Sequence, residues 1–84
     1  MTRDKAIKQV AAAAIKHEQK YGTGSAKMEV PKDANAIVLV AYFPPGLPYK
    51  QALRGRYGLG CPIDVRGHTK KEPRREVRYA VKFV

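Results

Sequence analysis

An eight-residue apolar run, Ala36 to Phe43, constrains the fold of this 84-residue chain more than any other segment. The run is rich in β-branched side chains, and Pro44 follows it at once. β-Branched and aromatic residues favour strands, and apolar residues on both alternating faces are typical of a strand covered on each side. The pattern therefore predicts a central strand that stops at Pro44.

The C-terminal segment follows a clear two-residue repeat. One set of alternating positions is apolar and the other is mainly charged: Val77, Tyr79, Val81 and Phe83 against Glu76, Arg78, Ala80 and Lys82. This pattern predicts a strand with one buried and one solvated face. Two shorter strands are predicted, at Lys27 to Val30 and at Cys61 to Arg66. Met28 and Val30 would share one side of the first strand, and Pro62 favours a sheet edge for the second.

The first twenty residues carry the start and stop signals of an amphipathic helix from about Arg3 to Lys20. Thr2 can cap the helix, Asp4 complements the positive end of the helix dipole, and Gly22 can end the helix in a left-handed conformation. A helical repeat of apolar residues predicts the buried face: Ile7, Val10, Ala11, Ala14 and Ile15. The exposed face offers lysines, and His17 is expected to be solvated among them.

These elements predict one small, basic α+β domain over residues 1–84. The N-terminal helix would pack on a three- or four-stranded sheet, antiparallel or mixed. Pro48 at a first helical position, followed by Tyr49 to Arg54, predicts a short second helix. Only 20 residues are Ile, Leu, Val, Met or Phe, so the core is small and a homodimer would add buried surface.

The same sequence argues against several classes of protein. The longest apolar run has eight residues where a membrane span needs about 20, and the first 20 residues lack the apolar region of a signal peptide. The only cysteine, Cys61, cannot form an internal disulfide, so we expect a cytoplasmic protein without a membrane partner. Cys61, His68 and the distant His17 are too few for structural zinc, and no nucleophile motif surrounds Cys61. We therefore expect no metal, no cofactor and no catalytic residue.

A glycine-dense stretch, Gly55 to Gly60, allows two interpretations. The four residues from Gly55 to Gly58 resemble the G-x-x-G loop of KH modules, in which two glycines let a nucleic-acid backbone pass close to the protein. A KH loop is followed by a helix, whereas Pro62 and a strand-like run follow this one. The alternative is that the glycines permit left-handed backbone conformations at a turn.

Positive charge is the most informative functional signal. Seventeen Lys and Arg against seven Asp and Glu give a formal net charge of +10, beyond the magnitude of about 2 to 8 that solubility requires. The excess is densest between Arg66 and Lys82, and Tyr57 among arginines would suit stacking on an unpaired base. The candidate nucleic-acid contacts are Lys50, Arg54, Arg56, Tyr57, Arg66, Lys70, Lys71, Arg74, Arg75, Arg78 and Lys82.

We expect a non-enzymatic protein that binds DNA or RNA through the phosphate backbone with little sequence specificity. Lysines and arginines position a nucleic acid, and no base-reading helix is evident. The alternative is a small binding module or inhibitor, of the kind that phages encode, that docks on an acidic surface of a nucleic-acid-handling enzyme. Both interpretations require the surplus cations to gather on one side of the folded molecule.

Overall fold

The structure is a computed structural model, and it describes residues 1–32, 35–46, 56–60, 62–67 and 69–84. The predicted second helix lies outside the described residues. So do Lys50 and Arg54 from the set of candidate contacts, the side chain of Arg56, and both Cys61 and His68.

One helix packs on a four-stranded antiparallel sheet, which confirms the predicted α+β architecture. In chain order the elements are α1 (Arg3–Tyr21), β1 (Ala26–Glu29), β2 (Ala36–Phe43), a single turn (Arg56–Gly58), β3 (Asp64–Arg66) and β4 (Arg75–Lys82). The strand order is β1-β2-β4-β3, so the two long apolar strands lie at the centre and the two short strands form the edges. The described residues contain no helix long and apolar enough to cross a membrane.

The ends of α1 follow the sequence signals closely. The side chain of Thr2 accepts a hydrogen bond from the backbone N–H of Lys5 at 3.3 Å. At the other end the N–H of Gly22 donates to the carbonyl oxygen of Glu18 at 2.8 Å, and Gly22 has a φ of 104°. Only glycine adopts that φ without a steric penalty, so the helix ends where the sequence predicts, to within one residue.

The buried face of α1 differs from the prediction. The buried residues are Ala6, Val10, Ala13, Ala14 and His17. Ile15 is 57% exposed and His17 is fully buried, so the prediction was wrong for both residues. Alanines let a helix axis come close to a sheet, and α1 accordingly faces the sheet with its alanine-rich side, while Ile7 packs partly buried at the edge of the core.

The side of the sheet that faces α1 carries most of the core. Along β2 this side consists of Ile37, Leu39, Ala41 and Phe43, and along β4 of Val77, Tyr79 and Val81. Leu39 pairs with Tyr79 in the antiparallel register, which places two large buried side chains at the centre of the molecule. The alternation predicted for the C-terminal strand is confirmed.

We call the other side of the sheet the open face. Its central residue, Val40, is fully buried even though α1 lies on the opposite side. In the strand register Val40 is flanked by Lys27 of β1 and Arg78 of β4, whose long aliphatic stems can cover it. The predicted central strand is confirmed, and charged neighbours shield its second face.

The two edge strands are shorter or shifted relative to the prediction. β1 starts one residue before the predicted strand and ends at Glu29, so Val30 lies just beyond it. Met28, within β1, is 38% exposed. β3 is an edge strand, as Pro62 indicated, but it begins only at Asp64. Between Gly58 and β3 the described positions contain no helix, which differs from the arrangement of a KH module.

Candidate nucleic-acid interface

Three cations and three carboxylates alternate across the open face from β1 to β3, and we call them the ion-pair network. The contacts run from Lys27 Nζ to Glu29 Oε1 (3.8 Å), Glu29 Oε2 to Arg78 Nη1 (3.0 Å), Arg78 Nη2 to Glu76 Oε1 (3.5 Å), Glu76 Oε2 to Arg66 Nε (3.5 Å) and Arg66 Nε to Asp64 Oδ2 (3.1 Å). Their formal charges cancel, so the network itself carries no excess of positive charge.

Strand register creates the network. Arg78 pairs with Asp64 across β4 and β3, and Glu76 pairs with Arg66 in the same two strands. The pKa of Arg78 is raised: burial acts to lower it, and the hydrogen bond to Glu29 and the charge of Glu76 outweigh that effect. Two of the candidate phosphate contacts, Arg66 and Arg78, are therefore already paired with carboxylates.

Arg74 is also paired, and its position is fixed from two sides. Its Nε and Nη2 atoms donate to the two carboxylate oxygens of Glu72 at 2.8 and 2.9 Å, and its backbone N–H donates to the same carboxylate at 3.1 Å. The guanidinium carbon lies 4.4 Å from the centre of the Tyr42 ring. The side-chain hydrogen bond from Arg74 is the main reason why the pKa of Glu72 falls from 4.5 to about 2.

The remaining candidate contacts of the second half lie apart from one another. Lys70 and Lys71 are exposed in the connection between β3 and β4, and Lys82 is exposed at the far end of β4, about 24 Å along the strand from Arg75. Arg75 pairs with Phe43 in the strand register, on the side of the sheet that faces α1. The charges of this segment are thus distributed over both faces and both ends of the sheet.

Tyr57 points into the molecule. Its hydroxyl lies 2.7 Å from Nδ1 of His17, and the two rings meet edge to face at 5.8 Å. Its backbone is left-handed, with a φ of 60°, which a non-glycine residue adopts only when its surroundings hold it there. The ring that the sequence suggested as a stacking platform thus contacts a buried histidine of α1.

Four lysines of α1 are not among the candidate nucleic-acid contacts predicted from the sequence. Their spacing along the helix nevertheless predicts that they share one side of it. Lys5, Lys8, Lys16 and Lys20 are exposed, and with 100° per residue they lie within an arc of about 120° on one flank of the helix, centred about 120° from the middle of the buried face. We call them the α1 lysine row. Lys20 also lies 5.5 Å from the centre of the Tyr21 ring. Within the described parts of the chain, none of the four has a carboxylate partner.

The carboxylates that form salt bridges lie away from this row. Of the seven Asp and Glu residues in the chain, Glu29, Asp64, Glu72 and Glu76 pair with cations on or beside the open face. α1 itself carries two carboxylates: Asp4 in the first turn, and Glu18, which accepts a hydrogen bond from the backbone N–H of Gly24 at 2.8 Å. The described lysines without a salt bridge therefore include those of the α1 lysine row together with Lys70 and Lys71.

The described residues offer no group of three or more His, Cys, Asp or Glu side chains that could hold a metal ion. No protein-family model, no curated protein sequence and no solved structure matches the chain.

Proposed function

We propose that this protein is a non-enzymatic nucleic-acid-binding protein that holds the phosphate backbone with little sequence specificity, and that the α1 lysine row is its main contact. One observation carries the proposal: these lysines share one helix face, and none of them forms a salt bridge with a described carboxylate. The arginines of the ion-pair network would have to leave their carboxylates before binding phosphate, which makes them weaker contacts than free lysines.

The dimensions of the row suit a nucleic-acid backbone. Fifteen residues separate Lys5 from Lys20, which corresponds to about 22 Å along the helix axis. Duplex DNA carries one phosphate charge per about 1.7 Å of axis when both strands are counted, so this length of duplex holds about a dozen phosphates, more than four lysines can contact. Lysine is a flexible point charge that neutralises phosphate and does not read base edges well, which accounts for the low specificity.

The proposal is tested by measuring the affinity for labelled oligonucleotides as salt is raised. Each phosphate contact on duplex DNA contributes about 0.9 to the slope of log K against log salt. The double variant Lys8→Gln with Lys16→Gln should reduce the magnitude of that slope by about 1.8, because glutamine preserves helix propensity and removes only the charge.

A matched control removes the same charge elsewhere. Lys27→Gln with Lys32→Gln changes exposed lysines on β1 and just after it, away from α1, and should leave the slope nearly unchanged. Equal effects of the two double variants would contradict the assignment to α1. Affinity that does not change with salt, or no affinity for any oligonucleotide, would overturn the proposal, and binding to an acidic protein alone would favour the docking alternative.

A further inference from the structure

We infer that a cleft at one end of the open face is a subsite for a single unstacked base of a nucleic-acid strand. The cleft has a volume of about 290 Å³ and is lined by Tyr42, Arg66, Gly67, Thr69, Glu72, Arg74 and Glu76. The inference rests on the proposed function, but it concerns a surface separate from the α1 lysine row.

A preformed stacking surface is the first reason. The Arg74 guanidinium lies over the Tyr42 ring at 4.4 Å, and its edge is held by the two hydrogen bonds that it donates to the Glu72 carboxylate. The Arg74 side chain remains 41% exposed, so a planar ligand can reach it. Guanidinium planes and aromatic rings are the side-chain groups on which proteins stack unpaired bases. Because Arg74 is already immobilised, little side-chain entropy is lost when a base stacks on it.

The polar walls of the cleft complement a base edge. Glu76 offers carboxylate oxygens as acceptors, and its position is fixed by the Tyr42 hydroxyl, which donates to Oε1 at 3.3 Å. Arg66, with a side chain that is 65% exposed, offers donors on the same side. Every base carries both donors and acceptors on its edge, so a wall with both kinds of group accepts bases with little discrimination.

Two exposed lysines lie in the same connection as the cleft. Lys70 and Lys71 stand between Thr69 and Glu72, so a strand with one base in the cleft has cations beside its neighbouring phosphates. Bases of an intact duplex are stacked and paired, and they cannot enter such a site without unpairing. We therefore expect single strands to use the cleft and duplexes to use only the phosphate contacts.

The test compares two strands with equal charge. One is a single-stranded 12-nucleotide DNA, and the other is the abasic deoxyribose-phosphate strand of the same length. One stacked base should give the base-bearing strand about tenfold higher affinity at the same salt. Arg74→Lys keeps the charge and removes the plane, so it should abolish this difference while the salt dependence stays unchanged. Arg3→Lys, the same substitution at the exposed start of α1, should preserve the difference.

The outcomes separate this inference from the proposed function. Equal affinity of the unmodified protein for both strands would overturn the base subsite and leave phosphate binding intact. A full preference for the base-bearing strand in Arg74→Lys would overturn its assignment to this cleft. If Arg74→Lys weakened binding to both strands equally, Arg74 would be a phosphate contact and not a stacking surface. Failure to bind either strand would overturn the proposed function and this inference together.

Discussion

The hydroxyl of Tyr57 lies 2.7 Å from Nδ1 of His17, while Nε2 of the same ring lies 2.8 Å from the backbone carbonyl oxygen of Tyr42. A carbonyl oxygen only accepts, so Nε2 carries a proton and donates to Tyr42, and in the neutral form of the ring Nδ1 accepts from the Tyr57 hydroxyl. One buried imidazole therefore joins α1, the end of β2 and the turn at Arg56–Gly58.

Replacing His17 by alanine should lower the free energy of unfolding by about 3 kcal/mol. His17 has no exposed surface and packs against Tyr21 and Phe43 at 4.6 and 4.8 Å between ring centres, so the substitution leaves a cavity and an unpaired Tyr42 carbonyl. Urea denaturation measures the change. Tyr57→Phe removes only the hydroxyl and should cost about 1 kcal/mol. A fully stable His17→Ala would contradict the buried arrangement.

The fold could be predicted from the sequence wherever one local pattern governs an element. β2 has the predicted bounds because the eight-residue apolar run and Pro44 define both its ends. β4 buries the predicted face because its two-residue repeat is unbroken. In β2 and β4 the local sequence pattern and the burial in the folded protein favour the same structure.

The burial of His17 required tertiary information. Ala6, Val10, Ala13 and His17 form a helical stripe, but in sequence the heavier isoleucines at positions 7 and 15 outweigh the alanines. The hydrogen-bond partners of His17 lie 25 and 40 residues away, so no local pattern shows that both ring nitrogens are satisfied.

The charged surface was hard to predict for a related reason. Lys and Arg can be counted in sequence, but their neutralisation depends on strand register. Glu29 and Arg78 are 49 residues apart, and only the order β1-β2-β4-β3 makes them partners. The lysines of α1 do not depend on strand register, because their spacing in the sequence alone determines which side of the helix they occupy.

The glycine-rich segment supplies a prediction about backbone conformation. Gly60 has a φ of 78°, and a β-carbon there would have no non-neighbouring atom of the described residues within 4 Å, so the expected cost of alanine is conformational. Gly60→Ala should lower the free energy of unfolding by about 1–2 kcal/mol. Gly67 is equally open but lacks a left-handed φ, so Gly67→Ala should change stability by less than about 0.5 kcal/mol. Thermal denaturation of both variants checks this difference, and equal effects would contradict it.

The ion-pair network should show unequal pairwise energies. In a double-mutant cycle, Arg78→Met and Glu29→Gln should couple by about 1 kcal/mol, because the Arg78 side chain is only 23% exposed and the contact is 3.0 Å. The cycle of Lys27→Met and Glu29→Gln shares the same carboxylate. The Lys27–Glu29 contact is longer, at 3.8 Å, and the Lys27 side chain is 55% exposed, so the coupling energy in this second cycle should be about 0.2 kcal/mol. Similar values for the two cycles would show that burial does not strengthen the Arg78 pair.

The Glu72–Arg74 pair predicts a dependence on pH. The pKa of Glu72 is lowered to about 2 from its ordinary 4.5, chiefly by the side-chain hydrogen bond from Arg74. Because the folded value is the lower one, the stabilisation from this pair is fully present above pH 4.5 and is lost as the pH falls through about 2. Carboxyl NMR should therefore show Glu72 titrating near pH 2, and Arg74→Gln should return its midpoint toward 4.5. A midpoint near 4.5 in the unmodified protein would mean that Glu72 does not hold Arg74 in solution, and the stacking surface over Tyr42 would lose its support.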